Sequence, residues 1–113
     1  MRTDDESVVL AFNDAINRRD ISSLGRLMAD NHRFIDSAGS TVSGKSACLE
    51  AWRGFFEAFP DYRNVFDSLH SPSEGIVEIS GRSECSVPAL TGPARWRARV
   101  KYGLLVEWRV FSI

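Results

Sequence analysis

Nothing in this chain approaches the roughly 20 consecutive apolar residues that a helix needs to cross a bilayer. It also lacks a cationic surplus. The formal net charge is −1, which leaves little to neutralise a run of phosphates and disfavours nucleic acid as a main partner. The opening Met1-Arg2-Thr3-Asp4-Asp5-Glu6 is acidic and has no apolar core, so it does not read as a secretory signal. Cysteine is scarce. Cys48 and Cys85 stand far apart without CxxC spacing, and in a chain with no export signal they read as reduced, buried thiols. The expected compartment is the cytoplasm. No His/Asp/Glu spacing fits a metal site and no serine sits in a nucleophile elbow, so neither a metal nor an organic cofactor is expected. Repeats, low-complexity tracts and linkers are missing as well. Residues 1–113 are therefore read as one domain, long enough to bury a core.

What is present is an ordinary globular composition, 43% hydrophobic and 26% charged. Thr3 and Glu6 have capping-box spacing, and Val8, Val9, Phe12, Ala15 and Ile16 behind them recur on one helical face. Arg18 and Arg19 suit the last turn of that helix. Asp20 can cap a second, shorter helix carrying Ile21, Leu24, Leu27 and Met28. A strand is predicted over His32–Ser37, ended by Gly39. A third helix begins near Ser43-Gly44, with Ser43 as its N-cap. That helix carries Cys48, Leu49, Trp52, Phe55, Phe56 and Phe59, and Pro60 ends it.

From Tyr62 the period changes to two. Strands are predicted over Arg63–His70, Gly75–Val87, Ala94–Tyr102 and Leu104–Ser112, with breaks at Pro72-Ser73, Pro88 to Pro93, and Gly103. In the third of these, Trp96, Ala98, Val100 and Tyr102 share one face, opposite Arg95, Arg97, Arg99 and Lys101. In the fourth, Val106, Trp108 and Val110 oppose Glu107 and Arg109. Helices followed by antiparallel strands predict an α+β fold, with helices on one face of a bent sheet around an apolar pocket.

Asp36 lies among apolar neighbours at the end of the first strand. It has two readings: a general base carried into a pocket, or a carboxylate capping the turn ahead of Gly39. His32 shares its strand parity, but at about 3.3 Å per residue the two stand roughly 13 Å apart, too far to form a dyad. Tyr62 either orients a ligand carbonyl at the pocket rim or covers the core edge.

Several short motifs in order carry a resemblance. They are Arg19-Asp20-Ile21, Leu27-Met28-Ala29-Asp30-Asn31-His32, Asp36-Ser37 with Gly39, Phe59-Pro60-Asp61, and the closing Glu107-Trp108-Arg109-Val110-Phe111. Together they resemble the nuclear transport factor 2-like superfamily, in its branch of SnoaL-like polyketide cyclases and ketosteroid isomerases. The resemblance implies a cone of three N-terminal helices on the concave face of a curved, mixed, mostly antiparallel sheet, usually dimeric through its outer face. The spacing of Ala29, Asp30 and Asp36 puts Asp36 at that branch's general-base position. The branch's two oxyanion donors, a tyrosine and a protonated aspartate, fall on Phe12 and near Trp96. A base without preorganised donors forfeits about 2.7–4 kcal/mol for each, which argues against steroid isomerisation of the usual kind.

Two functional expectations follow. One is a cofactor-independent isomerase or cyclase using Asp36 beside the carbonyl of a hydrophobic substrate. The other is a non-catalytic ligand-binding or dimerisation domain that has lost the donors. The expected ligand contacts are Phe12, His32, Trp52, Phe55, Phe56, Phe59, Tyr62, Trp96 and Trp108. The arginine stripe is expected to pair with Glu78, Glu84 and Glu107 across strands or between subunits. Whether Asp67 or Glu84 enters the pocket depends on strand register.

Overall fold

The structure, a computed structural model, describes residues 3–111. The expected strand end at Ser112 lies outside the described residues, as do Met1 and Arg2 of the acidic opening. Helix α1 spans Asp4–Arg18. The Glu6 N–H donates to Thr3 Oγ1 at 3.1 Å, and the Thr3 N–H donates to Glu6 Oε1 at 3.2 Å, which satisfies two backbone donors reciprocally. Arg19 ends the helix in the left-handed conformation at φ 56, and its guanidinium donates to the carbonyls of Asn17 and Tyr62. Helix α2, Ile21–Leu27, starts on Asp20, which accepts from the Ser23 N–H at 3.0 Å and the Ser23 hydroxyl at 2.7 Å.

Strand β1 covers Met28–Ile35, beginning and ending earlier than the sequence suggests. Met28 takes extended geometry as soon as α2 stops, and Asp36 falls in the turn beyond the strand. A short strand that periodicity did not reveal, β2 (Thr41–Ser43), pairs back on β1. Ser43 is thereby spent on the ladder, and α3 (Lys45–Ala58) starts instead from Gly44 at φ 96, with no side-chain cap. Strands β3 (Arg63–Ser73), β4 (Ile76–Glu84), β5 (Gly92–Lys101) and β6 (Leu104–Phe111) complete the sheet. Pro72 lies inside β3 rather than in a turn. It is tolerated there because β3 is an edge strand, where a missing N–H costs no ladder bond.

The sheet order is β2-β1-β6-β5-β4-β3, antiparallel throughout except for the parallel β1–β6 pair. The first long strand therefore lies beside the last. This is the curved α+β cone expected, with helices covering one face. Val77, Ile79, Trp96, Ala98, Leu105 and Trp108 turn inward and are buried against α1 and α3.

Among the register shifts of the sheet, two change which residues face inward. Between β3 and β4, Phe66 faces Gly81 and Ser68 faces Ser80, which leaves Asp67 unpaired. Between β5 and β6, Arg99 faces Glu107 and Val100 faces Leu105, so Val106 is the extra residue. An extra residue resets the alternation of a strand. Leu105 consequently takes the inward position, fully buried, where simple alternation assigned Val106. Glu107 points outward, yet only 3% of it is exposed. Its Oε1 accepts from Arg33 Nη2 at 2.6 Å, and Arg99 Nε lies 3.5 Å from its Oε2. Burying a carboxylate is costly unless it is paired in this way. Tyr102, expected on the inner face, sits in the β5–β6 turn at φ 53 and is 92% exposed.

The bulge at Asp67 also brings β3 hard against Gly81, where an added Cβ would lie 2.0 Å from the Val65 carbonyl oxygen. Gly81→Ala should therefore destabilise the protein by about 1–3 kcal/mol or more. Gly54, in the exposed middle of α3 with open space around it, should behave oppositely, with Gly54→Ala stabilising by about 0.5–1 kcal/mol. Denaturant melts of the two variants beside the parent check both signs.

Candidate functional site

Between α3 and the inner face of the sheet lies a cavity of about 520 Å³. One wall comes from α3, through Ala51, Trp52 and Phe55. Strands β1 and β2 supply Phe34 and Val42, and the turn between them supplies Asp36. The sheet contributes Trp96, Trp108 and Val110. The segment from Ala89 to Ala94, after β4, closes the rim. The walls are largely aromatic and held edge to face: Trp52 meets Phe34 at 5.8 Å and 77°, and Phe55 meets Tyr62 at 4.8 Å and 85°. Such pairs fix ring orientation beyond simple area burial.

Phe12 stands behind this wall. Fully buried, it packs on Trp108 at 5.0 Å and on Trp52 at 6.4 Å. Both indoles thus touch Phe12 and also line the cavity, while Phe12 itself is not part of the lining. His32 is likewise fully buried, 6.0 Å from Phe12. Its Nδ1–H donates to the Leu105 carbonyl at 2.8 Å, a contact that requires the proton on that nitrogen because a carbonyl only accepts. Nε2 has no partner among the described residues, and burial pushes the His32 pKa down. Phe56 packs on Trp52 at 5.4 Å, and Phe59 packs on Phe55 at 5.0 Å. Of the nine ligand contacts expected from sequence, Trp52, Phe55, Tyr62, Trp96 and Trp108 line the cavity, whereas Phe12, His32, Phe56 and Phe59 support those walls from outside it. The physical reason is layering. A helix face broad enough to bury several rings can offer only its outermost ones to a space beyond them.

Asp36 lines the cavity and is half-buried. Its Oδ1 accepts the N–H groups of Ala38 and Ser40, both at 2.9 Å, so the turn-capping role is occupied. Oδ2 has no hydrogen bond among the described residues. Asp67 pairs with Arg82 at 3.6 Å, and Glu84 pairs with Arg63 and Arg82; neither lines the cavity. Burial raises the Tyr62 phenol above its usual range, against a smaller pull from the Ser83 hydroxyl.

Cys48 also borders the cavity, buried, with its thiol pushed up by desolvation. Cys85 is a free thiol too but only half-buried, its Sγ donating to Asp61 at 3.3 Å. The expectation that both are buried thus holds for Cys48 alone, because Cys85 falls in the loop after β4. Among the described residues no group of His, Cys, Asp and Glu is placed to hold a metal ion, and no helix is long and apolar enough to cross a membrane.

Sequence reasoning passed over Asn64. It is 1% exposed, lines the cavity, and has neither side-chain atom hydrogen-bonded among the described residues. The signal was available. Asn64 shares strand parity with Phe66, so it is a polar residue at an inward position of a strand.

A curved sheet enclosing an aromatic cavity beneath three helices defines the class of nuclear transport factor 2-like cones. Within that class, residues 9–108 match the SnoaL-like domain, and the chain belongs to that family. Solved structures share the fold at low identity. A candidate polyketide cyclase from Sinorhizobium meliloti is 15% identical with a TM-score of 0.83, over 96% of this chain and 99% of that one. A candidate ketosteroid isomerase from Kribbella flavida is 15% identical with a TM-score of 0.80, over 96% and 76% respectively. TerC, co-crystallised with polyporic acid, is 13% identical with a TM-score of 0.84, over 98% and 92%. Comparison with curated proteins finds no sequence match.

The buried His32 sets a pH dependence. Its folded-state pKa lies below the ordinary value of about 6.5. As pH falls past that value, the unfolded chain gains a proton that the folded chain refuses. Stability is then lost on the acid side at up to about 1.4 kcal/mol per pH unit, and is fully retained above it. Urea melts at pH 7.5 and pH 5 should show a larger acid loss for the parent than for His32→Phe.

Proposed function

We propose that the cavity binds a hydrophobic, aromatic small molecule carrying a neutral oxygen function, and that Asp36 Oδ2 accepts a proton adjacent to its carbonyl. The observation that carries the binding reading is the combination, in one space of about 520 Å³, of aromatic walls with a few desolvated polar groups. That size and chemistry are usual for small-molecule sites. TerC, co-crystallised with polyporic acid, shares the fold and lends support to small-molecule binding. The proton-transfer reading is supported by Asp36 lining the cavity with one oxygen anchored to the turn and the other unpaired. The anchored oxygen fixes the carboxylate and the other is left for chemistry. The reaction class is isomerisation or cyclisation without a cofactor.

A specific observation favours the rival reading of a binder without catalysis. Phe12, at the position of the isomerase tyrosine, is walled off behind Trp52 and Trp108. Exchange of the α-protons of polycyclic aromatic ketones for solvent deuterium in D2O, followed by proton NMR, separates the two. Catalysis by Asp36 requires exchange by the parent that falls about 10²–10⁴-fold in Asp36→Asn while ligand binding persists. Binding without exchange in the parent leaves only the binder.

We also propose that two copies pair through the outer sheet face. A depression there is bordered by Arg95, Arg97, Glu78 and Phe111, and it presents both charge signs around a ring that Arg97 and Arg109 overlie at 5.6 and 5.2 Å. A self-complementary surface of this kind suits a two-fold contact. Light scattering at micromolar concentration should give twice the chain mass, and a monomer mass rules the pairing out.

A further inference from the structure

We infer that the Tyr62 hydroxyl holds the end of the ligand remote from Asp36, donating to a second, neutral oxygen, so that the ligand is a flat ring system oxygenated at both ends. The inference rests on the binding reading above and adds the second function that the ligand carries. Tyr62 is half-buried and lines the cavity. Its backbone is held on both sides: the N–H donates to the Phe59 carbonyl at 3.1 Å, and the carbonyl accepts from the Arg19 guanidinium. Its ring stands edge-on to Phe55 at 4.8 Å. Four side chains of the lining carry hydroxyls, namely Ser37, Tyr62, Ser83 and Thr91. Ser83 gives its hydrogen to the Leu90 carbonyl at 2.7 Å, and Thr91 gives its own to the Cys85 carbonyl at 2.8 Å. Ser37 lies in the exposed turn beside Asp36. Among the described residues, the Tyr62 hydroxyl alone combines partial burial with a hydrogen not already given to a carbonyl. Burial also raises the phenol's pKa, so it stays protonated at neutral pH and meets a ligand as a donor.

The topology puts this donor far from the carboxylate. Asp36 follows β1, Tyr62 precedes β3, and strands β6, β5 and β4 lie between those two in the sheet. Four strand spacings of about 4.8 Å separate β1 from β3, less what curvature takes back. A row of rings bridges the same gap. It runs Phe34, Trp52, Phe55, Tyr62, with successive centroids 5.8, 5.9 and 4.8 Å apart. Asp36 and Tyr62 thus serve two ends of one elongated ligand and do not share a single carbonyl. The rings between them suit a flat aromatic body. The lining contains no lysine, arginine or histidine, so an anionic group at the Tyr62 end would find no counter-charge.

The test uses three probes of matched shape: 2,6-diacetylnaphthalene, 2-acetyl-6-isopropylnaphthalene and 2,6-diisopropylnaphthalene. Titrated calorimetrically into the full chain, the monoketone should bind about threefold to tenfold more tightly than the hydrocarbon. Tyr62→Phe keeps the ring against Phe55; it should lose that preference with an unchanged midpoint of thermal unfolding. The two-ended arrangement has its own signature in D2O exchange. The parent holds the monoketone's one carbonyl at Tyr62, away from Asp36, so its kcat should fall several-fold below the diketone's. In Tyr62→Phe the two values should converge. Equal affinity of the parent for monoketone and hydrocarbon, or a preference that survives in Tyr62→Phe, overturns the role of Tyr62 and leaves the cavity a binding site. If Tyr62→Phe weakens all three probes alike, the residue is structural and the inference is wrong. A fall in kcat for both ketones puts the phenol on the reacting carbonyl and overturns the remote placement. Binding without exchange removes the chemistry of Asp36 alone, and the affinity ranking still decides Tyr62. Failure of all three probes to bind overturns both readings together. The parent's ranking decides the matter even if the variant does not fold.

Discussion

Phe12 stands with no exposed surface between Trp52 of α3 and Trp108 of β6, and the cavity depends on that three-ring contact. Phe12 holds the two indoles from behind, and both of them line the cavity. A benzene ring supplies packing and no hydrogen bond. The position therefore seals the core and leaves any polar chemistry to residues of the lining such as Asp36 and Tyr62. A hydroxyl at residue 12 would have needed a partner inside a dry core.

The two faces of the sheet solve opposite problems. The inner face keeps an apolar surface only partly covered by helices, and the gap becomes a cavity instead of collapsing because large rings brace one another edge to face. The outer face must carry the arginines that alternate with those inner residues. Glu107, pressed between Arg33 and Arg99, takes up part of that charge and ties β1, β6 and β5 together. The bulge at Val106 makes this possible, since without it Leu105 and Trp108 could not both face inward while Glu107 faces out.

How legible the molecule was in its sequence varies with the range of the interactions. The α1 capping box and the Asp20 cap are contacts within three residues, and they appear where the spacing predicts. The same holds for the alternation of Trp96, Ala98 and Val100, which are all buried in β5. Strand β2 escaped notice because three residues are too few to carry a period. Tyr102 was misplaced because alternation carries no mark of where a strand stops and a turn begins. In the candidate site, the richness of α3 in aromatics was plain, but not which rings face open space.

By itself, then, the sequence determined the helices, the longer strands, the α+β class and the presence of an aromatic interior, all of which follow from periodicity and caps among near neighbours. Tertiary structure alone decided the rest. The β1–β6 pairing joins His32 to Leu105 across 73 positions. The side-chain amides of Asn13 and Asn17 donate to the Asn64 carbonyl across 51 and 47 positions. At the opening stretch of the site, Asp36 proved to cap its turn and to border the cavity at once. Whether a residue lines a cavity, props up its wall or lies buried behind it is set by which distant segments pack on it, and no local pattern encodes that.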